Sequence, residues 1–217
     1  MENHFRDVSK MVTIGGGAER ATNDVELTRY ACYIIAQNGN ASKKPKVAAA
    51  QAYFALQTRK QELIQQRDKD MERLITRQKF TESDKRISET VLEKGMSSRG
   101  LSIIKDSGNK KMYGGKTTTE MKKVYGITNT RTPLANRTPN VVLAAKSLAN
   151  EMTAVNLEKF PIDTFNDIRE ENDGNNLKVR NALSESGIVP DKMPPAEDTE
   201  KILKRFKAED KKKAIEE

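Results

Sequence analysis

Residues able to do covalent or phosphate chemistry are few in this chain, and each candidate fails on number or spacing. His4 is the only histidine and lies at the extreme N-terminus. Ser-His-Asp and Cys-His machinery therefore has no base to use, and histidine-bearing zinc sites are not expected. Cys32, the single cysteine, sits in the apolar run Tyr30-Ala31-Cys32-Tyr33-Ile34-Ile35 and reads as a small buried hydrophobe. Gly114-Gly115-Lys116-Thr117 ends like a phosphate-binding P-loop. That motif needs a further glycine at position 110, which is a lysine, and Gly108 comes two residues too early. Pro190-Asp191 with Glu200-Lys201 has the acids of a nuclease, but in Pro-rich linker composition and not on converging strands. The carboxylates of residues 163–173 read as a solvated helix face. No catalytic residue, metal or cofactor is expected, and no small-molecule substrate.

Recognition by charge is better supplied. Residues 1–79 carry a net +5, residues 80–150 carry +7 and residues 151–217 carry -4, within a total of +8. A basic body attracts phosphate backbones by counterion release, whatever the base sequence. The turn Ser42-Lys43-Lys44-Pro45-Lys46 precedes a long helix, where free N–H groups and the positive end of the helix dipole add to three lysines. Arg20, Arg29, Lys43, Lys44, Lys46, Arg59 and Lys60 are the expected contacts to DNA or to an acidic partner surface; a solvated loop is the plain alternative. Gln37-Asn38-Gly39 reads as a helix end. Tyr30, Tyr33, Tyr53 and Phe54 could stack bases, but their helical spacing beside alanines reads as core, and 11 aromatics without a tryptophan supply stacking platforms poorly.

The elements that must position these groups are mostly helical. Ile14-Gly15-Gly16-Gly17-Ala18 reads as a loop closing residues 1–22. Asn23 or Asp24 would cap a first helix near 24–37, stopped at Gly39. Pro45 opens a long helix predicted over 45–79, with Tyr53, Leu56, Leu63, Ile64, Met71, Leu74 and Ile75 forming a narrow apolar stripe suited to an intrachain helix or to a second copy of the chain. Thr81-Glu82-Ser83-Asp84 resembles the cap of a further helix ending at Gly95. Residues 96–117, rich in Gly, Ser and Lys, suggest a small β-hairpin near 100–115. Helices follow at 118–125, about 139–157, about 163–171 and 174–186, with a charged helix or tail over 198–213.

Only 35% of the residues are apolar and 32% are charged, with a mean hydropathy of -0.76. Small helical cores with exposed connections are expected, divided as residues 1–79, 80–195 and a tail of 196–217. A lone cysteine suits a reducing cytosol. No apolar run reaches the roughly 20 residues of a membrane span, and the first residues lack the apolar core of a signal peptide.

One stretch is dense with specific residues, from Arg29-Tyr30-Ala31-Cys32-Tyr33-Ile34-Ile35-Ala36-Gln37-Asn38-Gly39 through Lys44-Pro45-Lys46-Val47-Ala48-Ala49-Ala50-Gln51-Ala52-Tyr53-Phe54-Ala55-Leu56-Gln57-Thr58-Arg59-Lys60-Gln61-Glu62. It closely resembles DNA damage-inducible protein D, a bacterial family related to the BRO N-terminal domains of phage antirepressors. Tyr113-Gly114-Gly115, Thr119-Glu120-Met121-Lys122-Lys123, Ala145 to Thr153, Asn181-Ala182-Leu183 and Gly187-Ile188-Val189-Pro190 extend the resemblance over nearly the whole chain. Members carry several tens of residues of BRO-type domain ahead of His4-Phe5-Arg6-Asp7-Val8. The resemblance thus implies that the N-terminal part of that domain is absent here and that residues 1–79 are its C-terminal half. It implies a helical, non-catalytic cytoplasmic protein of the DNA-damage response, acting on single- or double-stranded DNA or on a recombinase–DNA filament. The alternative is an antirepressor-like module that binds another protein, or its own copy, through the 45–79 stripe.

Overall fold

Three glycines reverse the chain near its start. Gly16 and Gly17 have φ of +90° and +83°, a region that L side chains avoid, and the Ile14 N–H donates to Ala18 O at 2.8 Å. The turn joins β1 (Phe5–Thr13) to β2 (Glu19–Leu27) in an antiparallel hairpin whose register runs from Phe5↔Leu27 to Thr13↔Glu19. The computed structural model describes residues 4–216, with side chains as far as Lys211. It divides into two compact units, Met1–Arg67 and Asp68–Glu217.

In the first unit the hairpin has no buried face; only Val8 and Leu27 are half-buried. That explains why the sequence hid it: both strands alternate too weakly to signal a core side. Asn23 and Asp24 lie in β2 and do not cap a helix. The cap is Thr28, whose side chain accepts from the Ala31 N–H, and α1 runs Arg29–Asn38. The long helix α2 begins at Pro45 as expected. Gln51 donates to Ala36 O at 2.8 Å and Gly39 O at 3.2 Å, satisfying the end of α1. A Cβ on Gly39 would meet Val47 Cγ1 at 2.6 Å, so the close approach of α1 and α2 requires glycine there.

The expectation that the long helix ends near 79 is corrected: α2 runs Pro45–Glu93. Thr81 does not cap. Its hydroxyl donates to Arg77 O and the Ser83 hydroxyl donates to Phe80 O, so both are absorbed inside a continuing helix. The boundary between the units falls within α2, at Arg67–Asp68, where the sequence alone placed it at 79–80. The hairpin expected near 100–115 is also corrected, because Ser98–Met112 is a helix, α3, with Ser97 as its N-cap. Its Gly100 and Gly108 serve close packing: a Cβ built on Gly100 would lie 3.6 Å from the Phe165 ring, and one on Gly108 would collide with Asn172 Nδ2.

The rest of the second unit is α4 (Thr118–Val124), a 3-10 turn at Leu134–Asn136, α5 (Asn140–Lys159), α6 (Phe165–Glu185), a second 3-10 turn at Pro190–Lys192 and α7 (Thr199–Glu216). The helices foreseen at 163–171 and 174–186 are one, since Gly174 sits inside α6 with open space around it. One apolar cluster gathers Met112, Tyr113, Met121, Tyr125, Leu134 and Val142; a second gathers Ile87, Val91, Ile104, Leu157 and Ile168. Residues 196–205 pack on this unit: Ile202 is buried, and Arg205 binds Asp70 at 2.5 Å and Glu197 at 3.0 Å.

Much of what lies between the helices is polar. Arg73 is buried and donates to Asn140 Oδ1 at 2.8 Å and to Asn136 O at 3.0 Å, tying α2 to the 3-10 turn and the start of α5. Burial, with Arg77 nearby, lowers its pKa to about 10. Asn172 donates to Ile104 O at 3.0 Å and Asn175 to Thr153 Oγ1 at 3.1 Å, joining α6 to α3 and α5.

Gly108→Ala is expected to force Asn172 from this place and to destabilise the second unit by about 1–3 kcal/mol, as overpacked cores do. Chemical denaturation followed by circular dichroism checks it. An unchanged midpoint would show that the α3–α6 approach is slack.

Candidate functional site

The seven cations singled out in the sequence all lie in the first unit and all are exposed. Arg20 is on β2, which is nearly neutralised, since Arg6 pairs with Glu26 at 3.7 Å and Lys10 with Asp24 at 4.0 Å. The helical part is different. Residues 28–67 hold seven Lys or Arg and one carboxylate, Glu62. Arg59 occupies that carboxylate at 3.2 Å. Among the described residues, Lys43, Lys44, Lys46 and Lys60 face no acidic partner. Asn40 Oδ1 accepts from the Ser42 N–H at 3.0 Å and the Lys43 N–H at 3.3 Å, shaping the turn before α2. The first turn of α2 contains no acid. Lysines at a helix N-terminus oppose the dipole and cost about 0.3–1 kcal/mol each in exposed positions, so stability alone does not account for them.

The aromatic residues expected as core are only partly so. Tyr33 and Phe54 are half-buried and meet edge-to-face at 5.3 Å. Tyr30 and Tyr53 are 60% and 50% exposed. This unit is too thin to cover them. Arg29 lies 5.8 Å over the Tyr53 ring. Leu56 and Leu63, on the stripe of α2, are likewise exposed.

The second unit holds a site that the sequence did not disclose. Helices α2, α3, α5 and α6 converge with the 3-10 turn around a cavity of about 310 Å³. Its charged lining is Arg77 and Asp84 from α2, Lys105 from α3 and Lys146 from α5. Asp84 and Lys105 pair at 2.7 Å, which leaves Arg77 and Lys146. Arg77 donates to Asn136 Oδ1 at 3.2 Å and to the Thr81 hydroxyl, and touches no carboxylate. Lys146 is 9% exposed. Its Nζ lies 5.0 Å from the Phe80 ring and 5.6 Å from the Tyr113 ring, and among the described residues it has no hydrogen-bond acceptor. Burial lowers its pKa to about 8; Asp84 opposes the shift, while Lys105 and Arg77 add to it. Nothing local in Ala145-Lys146-Ser147 marks this lysine, because its surroundings come from segments distant in sequence.

The remaining candidates are structural. Thr117 caps α4 in a reciprocal box with Glu120, and Lys116 reaches Asp191 at 3.4 Å, so the Gly-Lys-Thr run joins two helices. Asp191 is held by Arg180 at 2.8 Å. Among the described residues no three or more His, Cys, Asp or Glu gather as a metal site. Among the described residues no helix is long and apolar enough to cross a membrane.

Residues 67–204 match the family model of the DinD C-terminal domain. The chain is also 30% identical over 201 residues to the DNA damage-inducible protein D of Escherichia coli (strain K12), covering 89% of this chain and 73% of that protein. No solved structure matches it.

Lys146 gives the second unit a defined pH response. From about pH 8 to the ordinary lysine value of about 10.4, the unfolded chain keeps a proton that the folded chain releases, so folding stability rises with pH across that window. Relative to Lys146→Met, the wild type is expected to gain on the order of 2 kcal/mol between about pH 7.5 and pH 10. Urea denaturation of both proteins at the two pH values measures it, and parallel behaviour of the two would refute the burial of a charged ammonium.

Proposed function

The chain belongs to the DNA damage-inducible protein D family, and from that premise we propose that it is a non-catalytic regulator of the DNA-damage response that binds DNA, or recombinase-coated DNA, through the helical face of its first unit. The observation that carries this reading is the imbalance over residues 28–67, seven cations against one carboxylate that is already paired. Lys43, Lys44 and Lys46 supply charge at the N-terminus of α2, Arg29 lies over the exposed ring of Tyr53, and the exposed Tyr30 ring packs against His4. Cations beside exposed aromatic rings suit single strands, whose unpaired bases offer faces to stack. Each phosphate neutralised releases counterions, so affinity falls steeply with salt.

The apolar stripe favours a second reading. Leu56, Leu63 and Ile64 are 67%, 54% and 45% exposed on one side of α2, which suits a protein partner or a second copy of the chain.

Replacing Lys43, Lys44 and Lys46 together with Glu is expected to weaken binding of single-stranded DNA by at least about tenfold at low salt. The slope of log affinity against log salt is expected to flatten by about one for each phosphate the variant no longer neutralises. Fluorescence anisotropy on the full chain across a salt series reads both, with and without the recombinase. Unchanged affinity and slope would sink the nucleic-acid reading. Salt-insensitive association that disappears on charging Leu63, Ile64 and Met71 would establish the protein partner in its place.

A further inference from the structure

The cavity of the second unit invites a ligand for three reasons. Its four charged groups sum to a positive balance, because the one acid, Asp84, pairs with Lys105 at 2.7 Å while Arg77 and Lys146, among the described residues, form no ion pair. Lys146 is more than nine-tenths buried, lines the space, and is left without a hydrogen-bond acceptor among the described residues. An ammonium carries three N–H donors, and a largely buried one to which the protein offers no acceptor is costly, a cost that a ligand's oxygens would relieve. Two aromatic rings give it cation–π contact, but rings accept no full hydrogen bond. Finally, about 310 Å³ lies at the lower end of small-ligand pockets, which run from about 300 to 1,000 Å³, so the space holds more than a few waters.

We propose that this cavity binds a phosphate group, with Lys146 as its buried anchor and Arg77 as a second, fork-shaped donor at the mouth. The guanidinium offers paired N–H groups that match two oxygens of a phosphate, and a compact ammonium meets a third as a point charge. A dianionic phosphate neutralises the two unmatched cations together. The wall formed by Pro133, Leu134 and Ala135 is apolar enough to accept an organic group carried by the phosphate. That group could be a free nucleotide or the phosphorylated end of a strand; both share the chemistry, and the titration separates them. This inference rests on the second unit and does not depend on the cationic face of the first.

The test is calorimetric titration, paired with thermal melting, of the full chain with inorganic phosphate, a deoxynucleoside monophosphate, and a short oligonucleotide with and without a 5′-phosphate; succinate is the control dianion. Saturable binding by at least one phosphate arm is expected, with a rise in melting temperature on saturation. The tightest arm identifies the source. Lys146→Met is expected to melt higher than the wild type without ligand, because a flexible apolar chain now lies against Phe80 and Tyr113, and to lose at least tenfold in phosphate affinity. Should that variant fold poorly, Arg77→Gln, at a half-exposed position, is expected to weaken phosphate severalfold at an unchanged circular dichroism spectrum. Absence of saturable binding in every phosphate arm overturns the proposal, as does succinate binding equally well, or wild-type phosphate affinity in both variants.

Discussion

The second unit encloses a cation, Lys146, between two aromatic rings and offers it no hydrogen-bond acceptor among the described residues. Taking an ammonium out of water costs several kcal/mol even after relaxation, while contact with aromatic rings returns about 0.5–2 kcal/mol. Lys146, set between Phe80 and Tyr113, therefore leaves a deficit. The surrounding packing tolerates it: Met112, Tyr113 and Val142 on one side and Ile87, Ile104 and Leu157 on the other form apolar clusters that hold the helices in place without the lysine. A free energy of this size is a large part of a domain's net stability, and any ligand that satisfies the group stabilises the fold through its own binding.

The same unit keeps several other polar side chains inside with hydrogen-bond partners, and the contrast with Lys146 is informative. Arg73 is as buried as Lys146 but donates to backbone and side-chain oxygens on three segments, so it joins elements. Asn172, Asn175 and Asn176 exchange hydrogen bonds across α3, α5 and α6. Polar interiors of this kind specify one arrangement, because each partner has a fixed place. Among the described residues Tyr125 Oη, Arg137 Nε and Asp173 Oδ1 are also buried without a partner, but Lys146 is the one of these groups that lines the cavity as a cation.

Helix punctuation makes part of this fold legible in the sequence. Gly39, Pro45 and Pro139 sit at or next to helix ends and mark them by residue chemistry, whereas at the start of α1 the sequence points to Asn23 or Asp24 and the cap is Thr28. The same signals mislead where tertiary packing reassigns them. Gly100 and Gly108 resemble loop residues but give α3 its close approach to Phe165 and Asn172, and the hydroxyls of Thr81 and Ser83 turn back onto their own helix. The hairpin at 5–27 is unreadable because neither strand buries a face. The exposed cations of the first unit can be named from sequence because exposed charge is a local property. The cavity cannot, because Arg77, Lys105 and Lys146 acquire their meaning only when α2, α3 and α5 meet.

The two collections of positive charge differ in physical kind, and salt separates them. Lys43, Lys44 and Lys46 stand in water, where a Debye length of about 8 Å at physiological ionic strength screens them from anything but close polyanions. On the proposed reading, they act with a partner that brings many charges at once. Lys146 is shielded from bulk ions by the helices around it, so its field acts at low dielectric on whatever enters the cavity. A group of that kind would discriminate by fit and hydrogen bonding, with less dependence on salt than exposed lysines have. If both proposals hold, salt would act on the exposed lysines of the first unit far more than on the buried lysine of the second.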